Sequence, residues 1–479
     1  RIIFHIDPST RFMKRIILHI DMNSYFASVA SQANPFLRGK AFGVGGKPGT
    51  RGIIAAASRE AKLRGVKTAM NAYEALRICP ELEIIHGDPS MYTEITNRFL
   101  RIFRRHTEDV EVYSLDEAFL DLTGWVGRQT SPSPSSQEGA AQVFPPSCEE
   151  GDGGSATIAD AIRIAQRIKA EMREELGEQL TCSIGIAENK LLAKLGSDMK
   201  KPNGIVVITN SEWRITNGGT PISPLIPYSL FPIRDLWPTL PVTDLCGIGN
   251  RIGPRLKERF GVTTAADLSA LPVDKLIDEF GPVMGYHLHL MGRGEDPSPV
   301  VSEVAAAKSY GHSYTLPRDL VDRDALRKVL FTLAEKVCRR MREDSACGRL
   351  ISLYVRYGDF TGESGRTTLA APINDGLMLF REGWRIVKPL IATKPVRLLG
   401  IGIGDIRPAQ RQVSLFEKDN KRRRVVAAAD AANDKWGERV VEPATTAGMV
   451  LKRHVSGFHH ALPVHVRRNG RAAGERRFQ

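Results

Sequence analysis

The chain has 479 residues, 42% hydrophobic and 25% charged, with 67 Lys and Arg against 54 Asp and Glu for a formal net charge of +13. That length suits three or four domains rather than one, and the basic balance favours a polyanionic partner, nucleic acid before a membrane surface. The six cysteines form no CxxC pair and no Cys/His cluster of zinc spacing, which argues against a metal finger and a disulfide framework and for a reducing, cytoplasmic setting; no apolar run approaches the roughly 18 residues that span a membrane, and no signal-peptide pattern is seen.

Arg1–Asp7 (RIIFHID) nearly duplicates Arg15–Asp21 (RIILHID), with Met13 between the copies. The first copy runs into Pro8, so residues 1–13 read as an upstream extension and Asp7 as having no catalytic part. Ile16–Ile20 reads as a buried strand ending at Asp21, and Ser24 as the start of a helix carrying Tyr25, Phe26 and Val29 on one side. Short helices are expected at Ser58–Leu63 and Ala72–Ile78, and a strand from Val110 to Leu122 with Asp116-Glu117 in its middle. Residues 129–155, rich in Ser, Pro and Gly, read as a disordered surface insertion. Ile158, Ile162, Ala165, Ile168, Met172 and Leu176 then recur at helical spacing as a core stripe. A strand at Thr181–Ile186, a helix from Asn189 to Asp198, a turn at Lys201–Gly204 and a strand at Ile205–Ile208 follow. Residues 209–236 are expected to wrap the surface, 240–294 to form short helices between glycine turns, and 308–406 a strand-and-helix domain. The remainder, 407–479, reads as a flexible basic tail, with Lys421–Arg424 a solvated basic run.

Asp21, Asp116 and Glu117 stand out because a carboxylate at the end of a buried strand needs something to satisfy it. Adjacent strand residues point to opposite faces, so Asp116 and Glu117 act together only if the backbone turns sharply there. Like charges that close call for a cation, and hard oxygen ligands suit Mg²⁺. Two such ions about 3.5–4 Å apart would stabilise both the attacking and the leaving oxygen of a phosphoryl transfer. Spacing alone leaves open whether Asp21 meets Asp116, and either cluster alone reads equally as solvated acids flanking strands.

DMNSYFASV (21–29) together with YSLDEAFLD (113–121) resembles the palm signature of Y-family DNA polymerases, those of the bacterial DNA polymerase IV type among them. The resemblance implies that Asp21, Asp116 and Glu117 are catalytic and bind two Mg²⁺ ions, with the backbone carbonyl of Met22 completing the second site. Asn23 stands where Asp is common in the family, at a position that is not a metal ligand. Phe26 matches the steric gate that excludes a 2′-hydroxyl; read as plain sequence it is helix core. ASREAK (57–62) resembles the fingers motif A-x-Y-E-A-R, so Arg59 and Lys62 take the places of a Tyr and an Arg that bind the incoming triphosphate. Otherwise they are a solvated face. DMKKPNG (198–204) resembles D-x-x-K-P-N-G, whose Lys, here Lys201, also reaches the triphosphate, and SIGIAENK (183–190) resembles S-x-G-I-[AS]-x-N-K.

CGIGNRIG (246–253) precedes a helical stretch; alone it is an ordinary tight turn, and by resemblance it is the thumb's helix-hairpin-helix, with Gly247, Gly249 and Arg251 on the DNA backbone. KSYGHSYTLP (308–317) resembles the opening of the little-finger domain, and QVSLF (412–416) the sliding-clamp-binding peptide, with Gln412 hydrogen-bonding and Leu415 and Phe416 filling an apolar pocket.

The implied fold is α+β, a right-hand polymerase with a ferredoxin-like palm (14–23 and 87–208), small fingers (24–86), an irregular connection (209–236), a helical helix-hairpin-helix thumb (237–294), a linker (295–307) and an α/β little finger (308–406). The implied activity is template-directed addition of a dNTP to a primer 3′-hydroxyl on primer–template DNA. It is of the translesion type, low in fidelity, active in DNA repair and damage tolerance, and without proofreading, carried out by a monomer. A catalytically silent clamp-bound adaptor, a metal-dependent nuclease or other nucleotidyltransferase, and a polymerase V-type subunit are the alternatives. Retention of the three carboxylates opposes the first, and the fingers and thumb matches oppose the second.

Overall fold

The computed structural model describes residues 15–46, 51–124, 158–209, 228–303, 306–391, 394–409, 417–437 and 439–447. The extension 1–13, the insertion 129–155 and the peptide Gln412–Phe416 lie outside the described residues.

The elements follow the chain from β1 (Ile17–Met22), buried along its whole length, into α1 (Tyr25–Ala33). Next come β2 (Phe42–Gly45), β3 (Ile54–Ala57), α2 (Arg59–Leu63), α3 (Ala72–Ile78), β4 (Glu83–Ile85) and α4 (Pro89–Phe103). Ser58, Asn71 and Asp88 cap α2, α3 and α4 by accepting backbone N–H groups, which fixes where each helix starts. Ser24 does not cap α1: it sits in the left-handed region at φ 48°, and its hydroxyl is turned to Lys62.

The expected strand 110–122 is in fact a hairpin, β5 (Val110–Val112) and β6 (Glu117–Asp121), because the N–H groups of Tyr113 and Ser114 both donate to Glu117 O and reverse the chain ahead of the acidic pair. After the insertion come α5 (Ile158–Leu176), which buries the predicted stripe, β7 (Cys182–Ala187), α6 (Lys190–Met199), capped by Asn189, and β8 (Ile205–Thr209). Residues 229–232 do not merely wrap the surface: as β9 (Ser229–Pro232) they pair in parallel with β8, and α7 (Ile233–Leu236) follows.

The main sheet runs β5-β6-β1-β7-β8-β9, with β1 antiparallel to both β6 and β7. Its two faces pack differently. Leu18, Ile20 and Met22 join a core with Phe99, Ile102, Ile162 and Ile168 of α4 and α5. Ile17, with Phe119 of β6, faces the other way, toward Leu192 and Leu195 of α6. A small sheet, β3-β2-β4, packs with α2 and α3 around Ala57, Ala61, Ala75 and Cys79. Helices α8 (Ile252–Phe260), α9 (Ala265–Ser269), α10 (Val273–Phe280) and α11 (Pro282–Gly292) share the α6 core.

The last sheet, β10-β13-β11-β12, is formed by β10 (Ser309–Leu320), β11 (Ala346–Tyr357), β12 (Gly362–Ile373) and β13 (Val396–Gly404), all antiparallel. Helices α12 (Arg323–Glu343) and α13 (Gly376–Leu390) pack with it in one apolar core. A two-residue β14 (Arg407–Pro408) pairs with the start of β11.

The segment beyond is not a flexible tail throughout: residues 417–436 form α14 (Glu417–Trp436). It is pinned to α12 and α13 by paired ions. Arg342 holds both oxygens of Asp430 at 2.6 and 3.0 Å, Arg422 grips both oxygens of Asp375, and Arg339 reaches Asp434 at 2.9 Å. Arg422 of the basic run is therefore an anchor rather than a solvated charge. Arg342 and Asp430 are both largely sheltered, so removing Asp430 leaves Arg342 with the longer pair to Glu335, at 4.0 Å, and its bond to Asn374 O. Asp430→Ala is expected to lower unfolding free energy by about 2 kcal/mol, measured by urea unfolding, whereas Lys421→Ala on the same helix should have little effect.

Candidate active site

Alternation along β1 puts Ile17, His19 and Asp21 on the face covered by α6. The register of β1 against β6 sets Asp21 directly across from Glu117 and His19 across from Phe119. Asp116, one residue before β6, is held differently: its carbonyl accepts the Met22 N–H at 2.9 Å, and its carboxylate accepts the Ser114 hydroxyl at 2.5 Å. The backbone turn thus brings the acidic pair alongside the end of β1, next to Asp21, a neighbourhood that sequence spacing could not show.

Helix α6 can lie close over this face because Gly185 has no side chain. A Cβ there would come within 1.8 Å of Ala193 O. The close approach delivers Lys194 and Ser197. Lys194 pairs with Glu117 Oε2. The buried His19 ring bridges Glu117 Oε2 at 3.2 Å through Nε2 and Ser197 Oγ at 2.7 Å through Nδ1. Burial pushes His19 below its ordinary value, which fits a neutral ring donating Nε2–H to Glu117. Neither Lys194 nor His19 was singled out from sequence. The available signals were a histidine inside an apolar strand and a lysine within the apolar run LLAKL.

The carboxylates carry different charges of environment. Burial raises Asp21 to about 6, against a partial offset from Lys201, whose Nζ lies 2.7 Å from Oδ2. Burial also raises Asp116. For Glu117 burial acts upward too, but the hydrogen bonds from His19 and Lys194 and the Lys194 charge outweigh it and hold the group down at about 2. Lys201, more exposed than Asp21, is raised on balance: burial lowers it, but Asp21 and Asp198 more than compensate. The same ion pair is therefore favourable seen from the lysine and insufficient seen from the aspartate.

Among the described residues no three acidic, His or Cys side chains are drawn together as a ready ligand cluster. The donor set nonetheless fits a hard dication. It offers carboxylate oxygens from neighbouring ends of β1 and β6, with the Asp21 and Asp116 carboxyls raised by burial and short of positive charge, which a divalent ion would supply.

Phe26 is half-buried on α1, its ring 4.5 Å from that of Tyr92 on α4, so its position is fixed from behind. Lys62 reaches back from α2 to the Ser24 hydroxyl at 2.7 Å, on the turn that follows Asp21, and burial lowers it. Arg59 is exposed one helical turn away. Asn23 donates to Thr181 Oγ1 at 3.1 Å and accepts from Ser183 Oγ at 2.9 Å, a bridge to β7 that uses both ends of an amide. Gly247, at φ 108°, and Gly249 lie on an exposed turn capping α8, with Arg251 exposed at the helix start. They are remote in sequence from the carboxylates but anchored to the α6 core through Ile248.

Three family profiles match the chain: the impB/mucB/samB family over residues 20–198, its C-terminal domain over 307–415, and the thumb domain of DNA polymerase-iota over 243–296. The chain is 33% identical to the DNA polymerase IV of Pelotomaculum thermopropionicum over 93% of its own length and 100% of the relative's, and 34% identical to that of Moorella thermoacetica over 90% and 96%. The chain belongs to the Y family of DNA polymerases. It is accordingly a DNA-directed DNA polymerase, a nucleotidyltransferase. A Y-family polymerase chimera, Dbh-Dpo4(243-245)-Dbh, shares the fold at TM-score 0.64 and 24% identity, over 82% of this chain and 99% of that one. Among the described residues no helix is long and apolar enough to cross a membrane.

The raised Asp21 has a measurable consequence. Its pKa of about 6 lies above the ordinary 3.8, so the folded state binds the extra proton between these values. The penalty for the buried carboxylate therefore grows as pH rises through that window and is full above it. In EDTA, Asp21→Asn is expected to melt a few degrees above the parent at pH 8, with the gain fading as pH falls through about 6.

Proposed function

We propose that this polymerase extends a primer 3′-hydroxyl on a DNA template by one dNTP at a time, through two-metal phosphoryl transfer of the translesion type. The observation that carries the reading is the pairing of Asp21 with Glu117 across β1 and β6, with Asp116 tied by its backbone to Met22. Asp21, Asp116, Glu117 and the Met22 carbonyl would hold Mg²⁺, which supplies Lewis-acid stabilisation to the attacking and leaving oxygens. In the reaction the primer 3′-hydroxyl gives up its proton to water, O3′ forms a bond to the α-phosphorus, and the bond from that phosphorus to the bridging oxygen breaks, releasing pyrophosphate.

The chain's own residues bind and align. Lys201, Lys62 and Arg59 present positive charge to the triphosphate, and positioning with charge stabilisation is most of what phosphoryl transfer requires. Phe26, backed by Tyr92, lies under the sugar and leaves no room for a 2′-hydroxyl. Gly247, Gly249 and Arg251 meet the DNA backbone, contacts that are strong in salt dependence and blind to sequence. The sheet of β1 and β5–β9 serves as palm, the β2–β4 sheet with α2 and α3 as fingers, α8–α11 as thumb, and the β10–β13 sheet with its helices as little finger. Gln412–Phe416 engages a sliding clamp, and the enzyme works as a monomer in damage tolerance, with low fidelity and no proofreading.

On an undamaged primer–template with Mg²⁺, the parent is expected to extend the primer and Asp116→Ala/Glu117→Ala to lose extension by at least about a thousandfold while still binding DNA. A folded, DNA-binding parent that adds no nucleotide would overturn the reading. Phe26→Ala should raise ribonucleotide insertion relative to dNTP insertion by at least about tenfold, read by single-nucleotide insertion kinetics.

A further inference from the structure

Lys169 on α5 is a buried ammonium, 8% exposed, and the triphosphate reading above leaves it without a role. Its Nζ donates to three oxygens: Cys182 O at 2.5 Å, Asn203 O at 3.0 Å and Asn203 Oδ1 at 2.6 Å. All three acceptors are uncharged. Burial without an anion costs a lysine, and that cost lowers its pKa. An ammonium with all three N–H bonds used holds its acceptors in fixed directions, as an apolar side chain in the same space would not.

The acceptors tell what is being held. Cys182 is the residue of β7 that lies across from Met22 at the end of β1, so one bond is anchored to the strand pair carrying Asp21. The other two go to Asn203, within the turn Lys201-Pro202-Asn203-Gly204. Asn203 is in the left-handed region at φ 62°, a conformation that costs most side chains but is tolerated by Asn and Gly. Gly204 follows where a Cβ would come 2.3 Å from Lys200 O, and its carbonyl accepts the Ile184 N–H at 3.0 Å, closing the turn against β7. Two residues before Asn203, Lys201 leaves this turn and reaches Asp21 at 2.7 Å.

We infer that Lys169 is a positioning residue for nucleotide binding: it fixes the 201–204 turn against β7 so that Lys201 is aimed into the cleft beside Asp21, where the triphosphate of a dNTP would lie. The inference rests on the assignment of Lys201 to the triphosphate. Lys169 touches neither substrate nor metal, and acts only through the backbone and amide of Asn203.

The test is single-dNTP insertion on a primer–template by the full chain and its variants. Each variant is checked for folding by thermal melting and for primer–template affinity by fluorescence anisotropy. Lys169→Met is expected to raise the KM for dNTP about tenfold with DNA affinity unchanged. Lys201→Ala should raise it at least as much. The double variant should be no worse than Lys201→Ala alone, because the two act through one contact. Asn203→Gly keeps the left-handed turn while removing the Oδ1 acceptor. It should raise the KM by about threefold, and it decides the matter if Lys169→Met does not fold. An unchanged dNTP KM in folded Lys169→Met, or in Asn203→Gly, overturns the inference provided that Lys201→Ala raises it. Losses that add fully in the double variant also overturn it, since they mark a purely structural lysine. No effect of Lys201→Ala would instead strike the triphosphate assignment itself, a separate failure.

Discussion

The structure depends on the cost of keeping a buried carboxylate near the end of one strand, β1, beside two more at the start of its neighbour β6. β1 is enclosed on both faces, and Asp21 at its end is only 8% exposed. Burial disfavours the charged form, and a second carboxylate across the β1–β6 pair adds to it. The surrounding fold is arranged around that cost. Lys194 and His19 answer Glu117, Lys201 answers Asp21, and Ser114 answers Asp116. The compensation is complete for Glu117, which stays well below the usual carboxylate range, and incomplete for the two aspartates. A carboxylate cluster with that imbalance has a standing electrostatic reason to take up cations.

The cations that answer the carboxylates come from one helix and the turn after it. α6 supplies Lys194 and Ser197, and the following turn supplies Lys201. Their placement relies on Gly185, which lets α6 approach β7, and on the anchoring of the turn through Asn203. Packing of backbone against backbone is thereby converted into the position of charge, the step on which phosphoryl-transfer catalysis depends most.

Much of this was legible in the sequence. Helical periodicity located α5, and short helix-like runs located α2 and α3, because these signals are local and survive without tertiary context. The acidic residues were recognisable individually, and the family resemblance implied that they act together, but their spacing did not show the convergence. That needed the β1–β6 register and the turn at Tyr113–Asp116, which a run of alternating residues from 110 to 122 disguised as one strand. His19, Lys194 and Lys169 were missed for a common reason. Each is a polar residue inside an apolar element whose partner is 13 or more positions away, 13 in the case of Lys169 with Cys182. The helix α14 was missed because its composition is that of a solvated basic run. It holds to the domain by paired ions rather than by an apolar stripe, and composition does not reveal which acids lie opposite.

The central claim, that Asp21, Asp116 and Glu117 form one divalent-cation site, is tested most directly by anomalous diffraction. Crystals of the full chain with primer–template DNA, a non-hydrolysable dNTP and Mn²⁺ would provide the signal. The account predicts anomalous density between Asp21 and the Asp116–Glu117 pair, with Lys201 withdrawn from Asp21 toward the triphosphate. Well-ordered nucleotide with no manganese on these carboxylates, and Lys201 still paired with Asp21, would contradict it.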